Sequence, residues 1–215
     1  MIKPIQRLGS GWLPGLFLLT AVRAAGQALP AKATAPETRR YAIEVAGVRV
    51  GTMTATRQPQ AGTAEAVYTL TSDVKANFLF YHLKIYYQVI NRVHDGKLRL
   101  STVEAHTNQG NFASRAEWKQ DHYDIVARQY KHDYRATEWQ PILYSVTDLF
   151  FSEPGNQPRA FAEYFGDYFS LSRVSQGVYR ASRAGREDEY HYANGQLVLL
   201  IKKNPLKNFV IRLLP

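Results

Sequence analysis

From Tyr41 onward, apolar and polar residues alternate with a period of two. Tyr41, Ile43 and Val45 alternate with Ala42, Glu44 and Ala46, Gly47 interrupts, and Val48, Val50 and Thr52 resume. Such alternation marks a strand buried on one face only. The same pattern predicts strands over 65–74, 83–94, 97–107, 112–119, 123–130 and 134–139, and again over 167–174, 178–184, 187–193, 196–203 and 208–214. These segments are rich in Tyr, Val, Ile, Thr and Phe, which fit a pleated surface. Asp95-Gly96 and Asn194-Gly195 are strong hairpin signals, because both central residues of a type I′ turn need positive φ. Asn108–Asn111, Gln120–His122 and Lys131–Asp133 read as wider turns.

Simple two-residue hairpins set the expected registers. About Asn194-Gly195 they place Tyr192 opposite Leu197, Tyr190 opposite Leu199 and Asp188 opposite Ile201. About Asp95-Gly96 they place His94 opposite Lys97, Val93 opposite Leu98 and Asn91 opposite Leu100. They also put His106 opposite Ile85, and Arg92 opposite Arg99, a like-charge pair that disfavours the register. Ser145-Val-Thr-Asp148 resembles a capping box with Asp in the third position, predicting one short helix near 146–152 that stops at Pro154-Gly155. A strand plus turn recurs about every dozen residues, and no βαβ alternation appears. The expected fold is therefore all-β: a single antiparallel meander sheet curling into a partial barrel.

Residues 1–28 break this pattern. Lys3 and Arg7 precede the apolar run Leu13–Val22, and small residues follow at Ala24, Ala25, Gly26 and Ala28. That order is a secretory signal peptide with cleavage expected after Ala28, although Arg23 is atypical there. A buried N-terminal helix is the alternative. The run is about half the ~20 residues a membrane-spanning helix needs, so no transmembrane helix is expected. Residues 29–40 read as a flexible, Pro-containing linker and 41–215 as the β-rich domain. Arg39-Arg40 follows the apolar run, so it is not a twin-arginine export signal. The expected location is exported, periplasmic or extracellular, and soluble after cleavage.

Composition narrows the function. The 45% apolar content excludes a disordered chain. The absence of Cys excludes a disulfide scaffold, a Cys-bound metal, a thiol nucleophile and a thioether-linked lipid anchor. The formal charge of +9 suggests nucleic acid at first sight. Three of those cations, Lys3, Arg7 and Arg23, belong to the leader, and the rest are scattered without a basic run. Counterion release is poorly served by that spread, so no nucleic-acid partner is expected.

Candidate chemistry is sparse. The six histidines show no HExxH spacing, and no metal site or cofactor is expected. Glu189 and His191 share one side of a strand and form a candidate acid/base pair, but no GxSxG nucleophile accompanies them. Glu153, Glu163 and Asp167 form a candidate carboxylate set for glycoside cleavage. No catalytic residues are assigned. The aromatic density around Phe78, Phe80, Tyr81, Tyr86 and Tyr87, and around Tyr164, Phe165, Tyr168 and Phe169, reads first as β-core packing. A second reading is a concave apolar surface with Tyr87, Tyr164, Tyr190 and Tyr192 as ligand-binding residues. Phe78–Tyr81 does not alternate cleanly and reads as a loop or lid.

Several segments resemble an uncharacterised family of exported bacterial β-rich proteins, a domain of unknown function. They are Tyr41-Ala-Ile-Glu-Val-Ala-Gly47 with Val50-Gly51, Asp95-Gly-Lys-Leu98, Asp148-Leu-Phe-Phe-Ser-Glu-Pro154, Glu163-Tyr-Phe-Gly-Asp-Tyr168 and Tyr190-His-Tyr-Ala-Asn-Gly-Gln-Leu197. Together they span about 41–214. The resemblance implies a signal-bearing sheet that curls into a partial barrel, more distantly similar to half-barrel lipoprotein carriers, and it implies no catalytic residues. The leading expectation is a non-enzymatic cell-envelope protein. Its expected partner is a lipid, glycan or other amphipathic ligand on the curved sheet, or an envelope protein. An envelope hydrolase and an outer-membrane β-barrel are the alternatives.

Overall fold

The alternation becomes one sheet. The structure is a computed structural model that describes residues 35–78, 81–129, 132–203 and 207–215. The expected signal peptide and residues 29–34 of the expected linker lie outside them. Among the described residues fourteen strands form one antiparallel sheet. They are β1 (Glu37–Val45), β2 (Val48–Pro59), β3 (Glu65–Phe78), β4 (Tyr81–His94), β5 (Lys97–Thr107), β6 (Gly110–Trp118) and β7 (Tyr123–Gln129). The series continues with β8 (His132–Glu138), β9 (Arg159–Ala162), β10 (Asp167–Ser175), β11 (Val178–Arg183), β12 (Arg186–Ala193), β13 (Gln196–Lys202) and β14 (Phe209–Leu213). The first strand starts at Glu37, inside the stretch expected to be linker. β3 and β4 run longer than expected and pair as far as Phe78 and Tyr81, the two ends of the stretch expected to be a loop or lid. Residues 79–80 lie outside the described residues.

Neighbours in sequence are neighbours in the sheet, and β1 also pairs with β14. The two free edges are thus β8 and β9, which are consecutive in the chain. The sheet curls without closing. Four of its turns are X-Gly pairs with both residues at positive φ: Ala46-Gly47, Asp95-Gly96, Ala184-Gly185 and Asn194-Gly195.

Both expected hairpin registers begin correctly and then slip by one. A bulge between His191 and Tyr192 leaves Tyr192 opposite Leu197 but moves Tyr190 to Leu200 and Asp188 to Lys202. A bulge between Arg92 and Val93 keeps Val93 opposite Leu98, then pairs Arg92 with Leu100 and Asn91 with Ser101. The Arg92–Arg99 opposition is avoided, and His106 faces Tyr86 instead of Ile85. The extra residue is the cost of aiming the right side chains inward. Leu200 is buried against Tyr190, where an unbulged register would have presented Leu199, which belongs to the outer face.

Inward side chains form rows across the strands. One row runs Tyr179, Tyr190, Leu200, Ile211 and Ile43 from β11 through β14 to β1, and all five are buried. Gly51 lets β2 lie against β3, because a Cβ there would stand 2.2 Å from the Asp73 carbonyl oxygen.

The edge-to-edge connection, residues 139–158, fills part of the concave side. Ile142, Leu149, Phe150 and Phe151 are buried, each worth roughly 1.5–3 kcal/mol of apolar burial. Tyr123 Oη donates to Leu98 O (2.6 Å) and accepts from Ile142 N–H (3.2 Å). Val146 N–H donates to Phe161 O (2.8 Å) and Phe161 N–H to Tyr144 O (2.9 Å).

The expected helix is a single 3-10 turn, Asp148–Phe150. Its capping chemistry is present in part: Ser145 N–H and Oγ–H both donate to Asp148 Oδ2 at 2.8 Å. Continuation fails because the next carbonyls are already engaged. Arg39 donates to Phe150 O (2.7 Å) and Phe151 O (3.2 Å), and Tyr192 Oη donates to Leu149 O (2.8 Å). Phe150 O would also need the N–H that Pro154 lacks.

Candidate ligand-binding cavity

The half of the concave side that residues 139–158 leave unfilled is a cavity of about 360 Å³. Its walls come from alternate inward positions of β1–β5 and β12–β14. Ile43, Met53, Leu70, Val74, Ile85 and Leu200 supply much of the apolar surface, and Phe165 and Phe169 close one side. The volume lies near the small end of the ~300–1,000 Å³ usual for small-molecule sites.

Polar groups enter this apolar setting at a few points. Glu163 lines the cavity and is almost fully buried. Its Oε1 accepts from Asn91 Nδ2 (2.8 Å) and Thr147 N–H (3.0 Å), and Asn91 Nδ2 also lies 3.3 Å from Ser145 Oγ. This network ties β4 to the 139–158 segment and fixes the carboxylate. Asp148, beside it, has its carboxyl pushed up to about 6, chiefly by burial, against the pull of the Ser145 hydrogen bonds. Burial, with Glu163 adding to it, also holds the Tyr87 and Tyr190 phenols well above their ordinary value.

At the rim, Asp188 pairs with Lys202 Nζ at 2.8 Å, a pair created by the β12–β13 bulge. Arg186 and Lys203 also line the opening, and Lys203 is paired with Glu187.

Of the four tyrosines expected to bind ligand, Tyr87, Tyr164 and Tyr190 line the cavity. Tyr87 packs edge-to-face on Tyr164 at 6.2 Å, and Tyr164 on Phe165 at 5.0 Å. Tyr192 lies two residues deeper along β12, with its hydroxyl on Leu149 O and its ring on Tyr179 at 5.8 Å. Tyr190 Oη is buried with no hydrogen-bond partner among the described residues.

The candidate catalytic groups are dispersed. Glu189 and His191 are hydrogen-bonded at 2.7 Å, but they sit on the outer face, away from the cavity. Glu153 accepts from Tyr179 Oη (2.8 Å) and Asp167 pairs with Arg183 (3.0 Å), while Glu163 points into the interior network. Each carboxylate thus serves a different contact. Among the described residues no group of three or more His, Asp or Glu is placed to hold a metal ion, and no helix is long and apolar enough to cross a membrane.

A family model described as a domain of unknown function (DUF6134) matches residues 41–214. The chain belongs to that family. Its matched span runs from the first apolar residues of β1 to the end of β14, so it takes in the whole cavity wall. No curated protein and no solved structure matches the chain.

Two features of the cavity escaped the sequence reading. In the sequence Glu163 stands out only as one of three spaced carboxylates, and Arg186 does not stand out. Arg186 had a usable signal: counting back in twos from Tyr192 and Tyr190 reaches Asp188 and then Arg186 on the same face.

Proposed function

We propose that this domain is a non-enzymatic binding protein of the cell envelope that holds an amphipathic, lipid-class ligand inside its curled sheet. The observation that carries the reading is the cavity itself, open at one end and walled by aliphatic and aromatic side chains. A glycan would need many polar partners along its length. The wall offers few, so a lipid is favoured over a sugar. The charged, apolar, small-residue order of residues 1–28 supports export.

The alternatives draw less support. The Glu189–His191 pair lies on the outer face, outside the curled sheet's cavity. His191 borders a shallower depression there, with Val198, Leu199 and Arg212, but no nucleophile motif accompanies the pair. For an outer-membrane barrel, outward positions should be apolar at bilayer depth. Here they include Arg40, Lys84, Arg92, Glu104 and Arg115, all exposed.

The test is native mass spectrometry of the full chain, purified without detergent from its own envelope fraction. A co-purifying lipid is expected on the unmodified chain. It should be lost from the double variant Val74→Phe/Ile85→Phe, which fills the cavity from two facing wall positions. Unmodified chain that repeatedly carries no lipid, and that takes up none when offered, would overturn the proposal. Unchanged lipid content in a folded double variant would overturn the placement of the ligand.

A further inference from the structure

We infer that the cavity takes a single-chain amphiphile with an anionic head, tail inward, and that Arg186 is the residue that reads the head. This rests on the binding function proposed above and assigns its ligand class.

The inward face of β12 changes character along its length. From the deep end toward the opening it reads Tyr192, Tyr190, Asp188, Arg186. One strand therefore grades from buried aromatic surface to a charged rim. The cations at the rim and on the neighbouring Phe165 ring are not equivalent. Lys202 is neutralised by Asp188 at 2.8 Å and Arg183 by Asp167 at 3.0 Å, and Lys203 shares Glu187 with Arg180. Among the described residues no carboxylate pairs with Arg186.

Arg186 is also held in place without being neutralised. Its guanidinium lies 5.2 Å from the centre of the Phe165 ring, and the Arg183 guanidinium lies 4.8 Å from the same ring. Phe165 is itself part of the cavity wall. Stacking on an aromatic face leaves the in-plane N–H donors of a guanidinium free. Those donors match the two oxygens of a carboxylate or phosphate, a pairing that a lysine ammonium meets only as a point charge.

The other end of the cavity fixes the orientation. Glu163 is a buried carboxylate on the wall. An anionic head pushed inward would meet it where little water screens the repulsion. With the head at Arg186 the two negative charges are kept apart and the tail contacts the aliphatic wall. A volume of about 360 Å³, near the small end of small-molecule sites, favours a single chain.

The test is isothermal titration calorimetry on the full chain, with four probes sharing a twelve-carbon tail, all below their micelle concentrations. They are dodecanoate, dodecyl phosphate, dodecan-1-ol and dodecyltrimethylammonium. At least one of the two anions is expected to bind ten-fold or more tighter than the cation, and comparison of the anions tells whether a carboxylate or a phosphate head is preferred. Arg186→Gln should weaken the anions at least five-fold and leave dodecan-1-ol unchanged. Arg183→Gln, which removes an already neutralised cation, should do much less. Equal binding of all four heads, or anion binding that survives Arg186→Gln, overturns this inference while dodecan-1-ol binding still upholds the cavity as a lipid site. Failure of all four probes to bind overturns both readings.

Discussion

The carboxyl of Asp148 gives the interior network a measurable signature. Burial raises it to about 6, Ser145 opposes through two hydrogen bonds, and Glu163 pushes it further up. In the unfolded chain the ordinary value is near 3.8. The folded state therefore binds the proton more tightly than the unfolded state does. Between those two values the native chain carries more protons, so this group's contribution to stability is greatest below about pH 4. That contribution is lost as pH rises through 6. A shift of about two units at ~1.36 kcal/mol per unit sets a ceiling of about 3 kcal/mol. Asp148→Asn removes the charge and keeps an oxygen where Ser145 N–H and Oγ–H donate. Its amide group adds a constant offset, so the diagnostic quantity is a slope. Urea unfolding of both proteins at intervals from pH 4 to pH 8 should show the variant gaining on the parent by up to about 3 kcal/mol, mostly between pH 4 and 7. A pH-independent difference, or a parent that gains on the variant as pH rises, would refute the reasoning that the ionised carboxylate is strained by its burial.

Two further substitutions test the packing around the cavity. Tyr190→Phe should be neutral or stabilising by about 1 kcal/mol, since Tyr190 Oη is buried without a partner, whereas Tyr192→Phe should cost about 1 kcal/mol by leaving Leu149 O unpaired; thermal unfolding of the pair reads the contrast, and a Tyr190→Phe loss above 1 kcal/mol would contradict it. Gly51→Ala should destabilise by about 1–3 kcal/mol, because its Cβ would lie 2.2 Å from Asp73 O and 2.9 Å from Val74 Cα in the neighbouring strand, and an unchanged unfolding midpoint in denaturant would show that β2 and β3 can part there.

The strands were legible because burial on one face writes itself as a period of two, and β1, β5 and β12 keep that period along most of their length. β9 was missed for the complementary reason. Ala160, Phe161 and Ala162 are buried in succession, which erases alternation. Turns were legible where the first residue was Asp or Asn. Ala46-Gly47 and Ala184-Gly185 adopt the same positive-φ pair with a residue that ordinarily avoids it, so only the glycine was visible. The registers were legible as far as the first bulge: the extra residues, Val198 in β13 and Arg99 in β5, carry no glycine or turn signal, and only the like-charge clash of Arg92 with Arg99 argued against the unbulged register. That limit governed the site as well. Counting without the bulge places Asp188 opposite Ile201, leaves it without a cation and hides the rim. With the bulge, Lys202 neutralises Asp188, and the unbalanced charge on that face passes to Arg186. The chemistry of the opening therefore depends on a one-residue slip that the two inward tyrosines demand, and residues 187–193, read alone as a half-solvated strand, could not disclose it.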